Sequence, residues 1–514
     1  MRQKPSTKEV LLSDLAILFY LAAFKLVLHL YFNRYYGYQR DELYFIACGE
    51  HLAWGYVDVG PLAMWLGRLS REVLGESLSA LRFLPAVAGA VTVFLTGLLA
   101  RELGGRRYAQ CLAALSIIIA PVWLQSGNIL ALPSFEPLFW VLCAYLVVRI
   151  IKTDNPRLWL WVGVVAGIGL LNKPSMAFFG VALVIGLLLT PHRKYLTDKW
   201  LWAGGAIAFV IVLPYLYWQM THGWATLQFL IGMNRGLMTR IPRVLFAIGQ
   251  VFYVHPVNVA VWLAGLGYYL VSKEGKAYRP LGWVYVIVCL FMVIVQSKIY
   301  YLAPAYPMLL AAGAVAIERF VERRRLRWLR VAAPAALVAG GLATVPIGLP
   351  VLPIDKLDAY VNAITGGALE HVYEVTGTFH DQFGWEDKAA VVADVYHGLP
   401  PEDKAKCMIF AGNFGQAGAI DFYGAKYGLP PATCAHQNYF FWGPPERDPE
   451  LAVVLGVRPE RLEMVFGRIE QVALIECPEC LPFEDNLPVY LCREPKVSLE
   501  DFWPTLRAVA FRNW

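Results

Sequence analysis

Residues 81–100 read LRFLPAVAGAVTVFLTGLLA, an apolar stretch with one charged side chain, Arg82. A helix needs about 20 predominantly apolar residues to cross the hydrocarbon core of a bilayer, and this stretch meets that requirement. The whole chain has a similar character, since 58% of its 514 residues are hydrophobic and 16% are charged, whereas soluble domains carry about 25% charge. The sequence therefore predicts an integral membrane protein rather than a set of soluble domains.

Ten further stretches resemble this one, and together they predict about eleven spans within residues 1–352. They lie near 10–31, 108–125, 135–151, 158–172, 174–190, 200–218, 244–271, 280–297, 302–318 and 331–352. The first is too long for a cleaved signal peptide and is expected to remain as a span. The expected fold class is mostly α, a polytopic transmembrane helical bundle.

The charge balance divides the chain into two domains. Residues 1–352 carry a net charge of +17 and residues 353–514 carry −11. The acidic tail predicts helices near 385–398 and 416–426, and strands near 406–411, 451–455, 471–475 and 488–492. This alternation is typical of a small α/β domain. The excess cations of the membrane part lie in short connections between spans, so the basic balance does not indicate nucleic acid.

The distribution of Lys and Arg predicts the orientation. Alternate connections, starting with the N-terminus and ending with residues 319–330, hold 21 of these residues. The positive-inside rule places those connections in the cytoplasm. Eleven spans from a cytoplasmic N-terminus then place the C-terminal α/β domain outside, and the expected location is the bacterial cytoplasmic (inner) membrane.

Two outer loops are longer than connectors need to be. Apolar residues of the loop 31–80 recur at helical spacing, which predicts amphipathic helices lying at the membrane interface; a loop packed on the bundle is the alternative. The loop 219–243 carries Arg235, Arg240 and Arg243 on the side where cations are disfavoured.

The cysteines and glycines of the tail give weaker signals. Cys477 and Cys480 have redox or zinc spacing, but a lone CxxC favours a structural disulfide or free thiols over a metal site. Gly412, Gly415 and Gly418 follow a predicted strand without the spacing of a dinucleotide loop, so they are expected to serve turns and caps.

The outer half of the membrane part contains a few ionisable residues where charge is costly. They are Arg40, Asp41, Glu42, Asp58, Glu136, Lys173 and Lys298. Taken singly, Asp41 or Glu42 could cap a helix, and either lysine could extend to lipid headgroups. Taken together, charges from distant loops on one membrane face predict a polar cavity at the outer leaflet, because intramembrane charges are functional candidates.

Carboxylates and cations in one cavity fit one class of reaction. Cations bind and neutralise a lipid phosphate, and a carboxylate can take the proton of an attacking hydroxyl. A sugar linked to a lipid phosphate requires both groups, since the neutralised phosphate leaves without a general acid. In-line displacement would then invert the anomeric carbon.

The motifs that carry these charges resemble the GT-C superfamily of polytopic glycosyltransferases, in particular its protein O-mannosyltransferase and lipid A aminoarabinose transferase branch. They are RDELYFIACGEHLAWG (40–55), DVGPLAMWLGRLS (58–70), LPSFEPLFW (132–140), LLNKPS (170–175) and QSKIYYLAPAYPMLLAAGA (296–314). The resemblance covers roughly residues 10–325. The tail, with GNFGQAGAIDFYG (412–424), is similar to the outer domain of one bacterial subgroup.

The resemblance implies roles for individual residues. Asp41 takes the first-loop acidic position, which serves as the catalytic base or orients the acceptor. Glu42 stands beside it, and Glu136 takes the second acidic position. The donor-phosphate group is implied to comprise Arg40, Lys173, Lys298, Tyr300, Tyr301, Arg235 and Arg240. The chain departs from its relatives at Val59–Gly60–Pro61, where an acid or His is common, and Asp58 is the expected substitute on the acceptor side. The same departure argues against a divalent metal, and no other cofactor is implied.

The predicted function is therefore an inverting transfer of a monosaccharide from a polyprenyl-phosphate carrier to a glycolipid, polysaccharide or protein on the outer face of the membrane. A membrane transporter or lipid flippase is the alternative, although such proteins usually show internal repeats and broken helices at the midplane. A non-catalytic scaffold would leave the Arg40–Asp41–Glu42 cluster unexplained. The sugar and the acceptor are not specified by the sequence.

Overall fold

The apolar stretches of the sequence form helices in the computed structural model, which describes residues 11–235, 241–367 and 373–512. The chain divides into two units. The first comprises Met1–Asn33, Arg82–Tyr217 and Leu237–Val351, and the second comprises Arg34–Leu81, Trp218–Gly236 and Leu352–Trp514. The predicted domain boundary, between residues 352 and 353, lies one residue from the observed boundary between Val351 and Leu352. The two long outer loops were predicted to belong to the membrane domain. In the structure their segments Arg34–Leu81 and Trp218–Gly236 group with the tail instead.

The first unit is helical throughout its described part. Its α-helices are Asp14–Phe32, Phe83–Glu102, Arg107–Ile118, Pro121–Ser126, Leu132–Thr153, Leu158–Asn172, Met176–Leu188, Lys199–Thr221, Arg243–Tyr253, Asn258–Leu270, Arg279–Ile294, Tyr306–Arg324 and Leu329–Gly348. Short 3-10 helices lie at Pro191–Thr197, Gly275–Tyr278 and Ile299–Ala305.

Each of the eleven predicted spans contains a helix. Within the described residues, seven helices are long and apolar enough to cross a membrane, or up to nine if each of two bent pairs counts as one span. Two shorter apolar helices, Arg107–Ile118 and Leu158–Asn172, account for the remaining predicted stretches. A polytopic helical bundle is confirmed, whereas the number of spans remains a prediction.

Small residues allow close helix packing in the first unit. A Cβ atom on Gly265 would collide with the backbone oxygen of Leu309, and one on Gly313 would collide with that of Val261. The helices Asn258–Leu270 and Tyr306–Arg324 therefore approach at backbone distance, as small residues permit within membranes.

Two ionisable side chains are buried in the first helix. Lys25 Nζ donates to the carbonyl of Trp123 at 3.0 Å, and His29 Nε2 lies 3.0 Å from the carbonyl of Leu124. The short helix Pro121–Ser126 leaves its carbonyl groups without partners of its own. Lys25 and His29 thus satisfy backbone groups inside an apolar bundle, where an unpaired carbonyl is costly.

The second unit combines helices with one small sheet, which is consistent with the α/β domain predicted for the tail. Its α-helices are Arg40–Glu50, Leu62–Leu74, Leu78–Leu81, Ala225–Arg235, Ile354–Thr365, Tyr373–His380, Trp385–His397, Pro401–Lys404, Phe414–Gly424, Asn438–Trp442, Pro459–Leu462, Leu499–Phe502 and Arg507–Ala510. Its 3-10 helices are Ala425–Tyr427 and Trp503–Leu506, and its strands are β1 (Cys407–Ala411), β2 (Ala432–Thr433), β3 (Leu451–Leu455), β4 (Phe466–Ile475) and β5 (Leu487–Pro495).

The strands form one mixed sheet in the order β2-β1-β3-β5-β4. The pairs β1–β2 and β1–β3 are parallel, and β5 is antiparallel to both β3 and β4. All five residues of β3 are buried, as expected for a central strand covered on both faces. The sequence pattern had indicated every strand except β2, which is only two residues long.

The two helices of the first outer loop have different surroundings. Residues 42–49 of the helix Arg40–Glu50 are all buried, so this helix belongs to the interior of the second unit. The helix Leu62–Leu74 instead exposes Leu69, Val73 and Leu74. An interfacial position remains a prediction for this second helix, whose outward apolar face suits a lipid boundary.

Cys477 and Cys480 form a disulfide, one of the two states favoured by the sequence.

Two of the tail glycines, Gly415 and Gly418, have a packing role. Gly415 lies against the side chain of Arg40, and a Cβ on Gly418 would lie 2.9 Å from the backbone carbon of Leu43. These glycines allow the helix Phe414–Gly424 to pack directly on the helix Arg40–Glu50.

A Gly418→Ala substitution is expected to destabilise the protein by about 1–3 kcal/mol relative to Gly377→Ala, because overpacking a close helix contact costs that much. Gly377 is the matched control. It is also helical, so Ala brings the same gain in helix propensity, and its added Cβ would meet only Leu481 at 3.6 Å. Thermal unfolding of the two variants in detergent measures the difference; equal midpoints would contradict the packing role.

Candidate functional site

In the first unit, Glu136 and Lys173 form a buried ion pair. Lys173 Nζ lies 3.0 Å from Glu136 Oε2, and the Ser175 hydroxyl donates to the other carboxylate oxygen. The ammonium group also lies 4.2 Å from the ring centroid of Tyr301 and 5.8 Å from that of Tyr300. Cation–π contacts of this kind hold a charged group in one position.

The local sequence explains why these charges meet. Pro174 ends the helix Leu158–Asn172, so Lys173 stands at its C-terminus, and Glu136 stands near the start of the helix Leu132–Thr153. The positive charge of Lys173 therefore complements the dipole of its own helix. Asn172 Nδ2 also donates to the carbonyl of Leu132 at 3.0 Å, which ties the two helix ends together.

Lys298 precedes the 3-10 helix that carries the two tyrosines. It is the N-cap of Ile299–Ala305, and its own carbonyl accepts from the Tyr301 amide at 3.2 Å. Gln250 fixes this segment, because its Nε2 donates to the Ile299 carbonyl at 2.9 Å and its Oε1 accepts from the Tyr306 hydroxyl at 3.0 Å. Among the described residues, Lys298 takes part in no ion pair.

The ion pair predicts a stability effect that depends on which partner is removed. A Lys173→Met substitution is expected to cost about 3–5 kcal/mol, because it leaves the buried Glu136 carboxylate without its cation. The double variant Lys173→Met/Glu136→Gln should recover much of that loss, since no charge is stranded. Thermal unfolding in detergent measures both variants; a double variant as unstable as the sum of its single changes would contradict the pairing.

In the second unit, the helix Arg40–Glu50 begins with a capping box. The Gln39 side chain accepts from the Asp41 amide at 2.8 Å, and Glu42 Oε2 accepts from the Gln39 amide at 2.9 Å. Glu42 is fully buried in this arrangement. A reciprocal cap satisfies two backbone donors at the helix start, so the structure gives Glu42 a capping position rather than an accessible one.

Asp41 is only partly buried, and its carboxylate takes part in no ion pair within the described residues. Asp58 lies nearby, with the Tyr44 hydroxyl 3.4 Å from its Oδ1. Desolvation, followed by the charge of Asp41, raises the pKa of Asp58 to about 7. Asp58 and Asp41 therefore form an acidic pair in which one member is neutral at slightly acid pH.

The side chain of Arg40 is held inside the second unit. Its Nε lies 3.6 Å from Asp381 Oδ2, and its guanidinium lies 5.5 Å from the ring centroid of Phe414 and 5.4 Å from that of Phe483. An arginine in this position is already paired and stacked. The donor-phosphate role of Arg40 remains a prediction.

Other predicted residues lie partly outside the described chain. Arg240 and the side chain of Arg235 are outside it, so their donor-phosphate roles remain predictions. Arg243 begins the helix Arg243–Tyr253. No group of three or more His, Cys, Asp or Glu residues that could hold a metal ion is found in the part of the chain that is described.

Sequence reasoning missed three residues that organise these groups, Ser175, Gln39 and Asp381. The serine of LLNKPS and the glutamine before Arg40 stand beside predicted residues, so local signals existed for both. Asp381 lies about 340 positions from Arg40, and no local pattern links the two.

Comparisons with known proteins bear on the whole chain. Residues 58–218 match the family described as dolichyl-phosphate-mannose-protein mannosyltransferase. The chain is 24% identical over 277 residues to an uncharacterized protein of Aquifex aeolicus (strain VF5). That match covers 52% of this chain and 54% of the relative, so it spans about half of each.

Solved structures show the same fold. ArnT from Cupriavidus metallidurans, in a crystal structure bound to undecaprenyl phosphate, superposes with a TM-score of 0.58 at 15% identity, covering 95% of this chain and 98% of ArnT. Its apo structure gives the same TM-score and identity, over 92% and 97% of the two chains. At this identity the likeness is one of fold, and it does not favour the transporter alternative. The chain is therefore a multi-pass membrane protein with an ArnT-like fold, and its residues 58–218 are similar to a mannosyltransferase family.

Proposed function

We propose that the protein is an inverting glycosyltransferase that moves a monosaccharide from a polyprenyl-phosphate carrier to an acceptor on the extracytoplasmic face of the bacterial inner membrane. The observation that carries this proposal is the group formed by Glu136, Lys173 and Tyr301, with Lys298 at the head of the same 3-10 helix. It places two lysines beside the ends of apolar helices, where a lipid phosphate would lie. The undecaprenyl phosphate bound by the structurally similar ArnT supports the same ligand class.

The two cations have different roles in this proposal. Lys173 is already neutralised by Glu136, so it serves to fix the position of Tyr301 and of the following segment. Lys298 is the cation that binds the donor phosphate, because a lysine without an ion pair gains most from a new anion. Tyr300 and Tyr301 follow Lys298 in the same 3-10 helix, and their rings lie near the ammonium group of Lys173.

The second unit supplies the base. Asp41 takes the proton of the acceptor hydroxyl as that oxygen attacks the anomeric carbon. The bond between the anomeric carbon and the phosphate oxygen breaks, and the electron pair leaves with the polyprenyl phosphate. Attack from the face opposite the leaving group inverts the anomeric configuration. Asp58 lies on the acceptor side. When its carboxyl group is protonated, it adds no negative charge beside Asp41.

The acceptor is a glycolipid, a polysaccharide or a protein, and one experiment identifies the reaction without knowledge of the sugar. Purified protein is added to membranes of a host strain from which the gene has been deleted. Mass spectrometry should show release of polyprenyl phosphate together with a newly glycosylated product, whose anomeric configuration is opposite to that of the donor. If polyprenyl-phosphate sugars are not consumed, the proposed function is refuted.

A further inference from the structure

Asp381 is a buried carboxylate of the second unit that the proposed reaction does not use. Only 4% of the residue is exposed. Its backbone is fixed on both sides, since its amide donates to the Gly377 carbonyl at 2.9 Å and its carbonyl accepts from Trp385 Nε1 at 2.8 Å. A charge in such a position is costly unless other groups compensate it.

The compensating groups all flank the start of the helix Arg40–Glu50. Gln39 Nε2 donates to Asp381 Oδ2 at 2.6 Å, and Arg40 Nε lies 3.6 Å from the same oxygen. Gly37 also approaches this segment so closely that a Cβ would collide with the carbonyl oxygen of Gln382. The segment 37–40 is therefore fastened to residues 381 and 382.

One amide group connects Asp381 to the candidate base. The same Gln39 side chain that donates to Asp381 through Nε2 accepts from the Asp41 backbone amide through Oε1, at 2.8 Å. Asp381, Gln39 and Asp41 thus form a continuous hydrogen-bonded path, which we call the Asp381 clasp. Because Asp41 occupies the first turn of the helix, fixing its amide restricts the direction of its side chain.

A second buried pair completes the surroundings of the clasp. Lys388 Nζ, which is fully buried, lies 3.8 Å from Glu484 Oε2 and 3.6 Å from Cys480 Sγ of the disulfide. Glu484 also accepts from Asn413 Nδ2 at 2.8 Å. The charges of Arg40, Asp41 and Glu484 act on the pKa of Asp381. The charge of Asp381 acts in turn on the pKa of Lys388. Burial raises the pKa of Asp381 to about 7 although Arg40 opposes that shift.

We propose that Asp381 is a positioning residue for the transfer reaction, acting through Gln39 to orient the carboxylate of Asp41. This inference rests on the proposed function, because it takes Asp41 as the base. A misplacement of about 1 Å at a catalytic group can cost on the order of 100-fold in rate, so a device that fixes the first turn has a measurable role. Lys298, the proposed donor-binding cation, belongs to the first unit.

The first test replaces Asp381 with Leu, which is similar in size and removes the oxygen that accepts from Gln39. Release of polyprenyl phosphate in the membrane assay should show kcat lower by about 10- to 100-fold, with the donor KM within about threefold of wild type. The matched control is Asp403→Asn, which breaks an ion pair with Arg493 in the same unit (2.6 Å) and should leave both constants near wild type. A raised donor KM with unchanged kcat would overturn the positioning role.

A second variant separates the clasp from the helix cap. Gln39→Asn keeps a side chain that caps helices well but is one methylene too short to reach Asp381. The variant should remain folded, with an unfolding temperature lowered by the lost hydrogen bond, and should lose kcat by about the same factor as Asp381→Leu. The double variant should be no worse in kcat than the more impaired single variant, since both changes break one path. If Asp381→Leu does not fold, Gln39→Asn alone tests the clasp.

The outcomes distinguish the inference from the function on which it rests. Wild-type rates in both Asp381→Leu and Gln39→Asn, beside an inactive Asp41→Asn protein, overturn the clasp alone. Wild-type rates in Asp41→Asn overturn the assignment of the base, and the clasp with it.

Discussion

Replacing Asp41 with Asn is expected to lower sugar transfer by roughly 10²- to 10⁴-fold, the range that a general base contributes. The amide is isosteric and keeps the backbone hydrogen bond to Gln39, so the helix Arg40–Glu50 should fold normally. Only the ability to accept a proton is lost. Transfer is measured as polyprenyl phosphate released per enzyme in membranes of the deletion strain, with thermal unfolding as the check on folding.

The neighbouring acid provides the matched control for this experiment. Glu42→Gln keeps a residue that completes a capping box in a position that is fully buried. We expect it to transfer sugar within about fivefold of wild type, because the cap loses only the charge-assisted part of its hydrogen bond. If Glu42→Gln is inactive and Asp41→Asn is active, the roles of the two acids are reversed.

The second large effect is expected from Lys298→Ala. Hydrogen bonds to charged groups contribute about 1.5–3 kcal/mol, so the donor concentration for half-maximal rate should rise by roughly 10- to 150-fold. Arginine at the same position should restore part of the loss, because it also carries a positive charge. Added undecaprenyl phosphate serves as the probe, and its inhibition constant should rise in parallel with the donor KM.

A lysine elsewhere in the first unit controls for the change in net charge. Lys276 lies in the 3-10 helix Gly275–Tyr278, in a connection predicted to be cytoplasmic, and Lys276→Ala should leave donor use unchanged. A normal donor KM and a normal inhibition constant in Lys298→Ala would remove Lys298 from the phosphate site.

Part of the candidate site could be predicted because its signals are local. A charged residue beside a long apolar stretch is rare, so Glu136, Lys173 and Lys298 stood out individually. Pro174 and the aromatic pair Tyr300–Tyr301 could likewise be recognised from neighbouring residues. The sequence did not show that Glu136 and Lys173 are each other's partner, because the pairing depends on the packing of two helices whose charges lie 37 positions apart.

The sequence predicted Asp41 and Glu42 only as two neighbouring acids, without separating their roles. Both Asp41 and Glu42 follow Gln39 at the start of a helix, and the sequence left capping and catalysis open for each. The structure separates them, since Glu42 is the acid whose side chain turns back to the Gln39 amide while Asp41 remains partly exposed. The conformation of the segment before Arg40 decides which of the two acids caps the helix. The contact between Gln39 and Asp381 helps to fix that conformation.

The sequence by itself determined the apolar spans, the acidic α/β tail and the candidate charges, because hydrophobic length and charge composition act residue by residue. Only the tertiary structure grouped the two long outer loops with the tail and inserted Arg40 among Asp381, Phe414 and Phe483. Contacts between residues hundreds of positions apart leave no periodic signal in a single chain. Such contacts depend on which helix faces are complementary. Here Gly415 and Gly418 allow the helix Phe414–Gly424 to pack on the helix Arg40–Glu50.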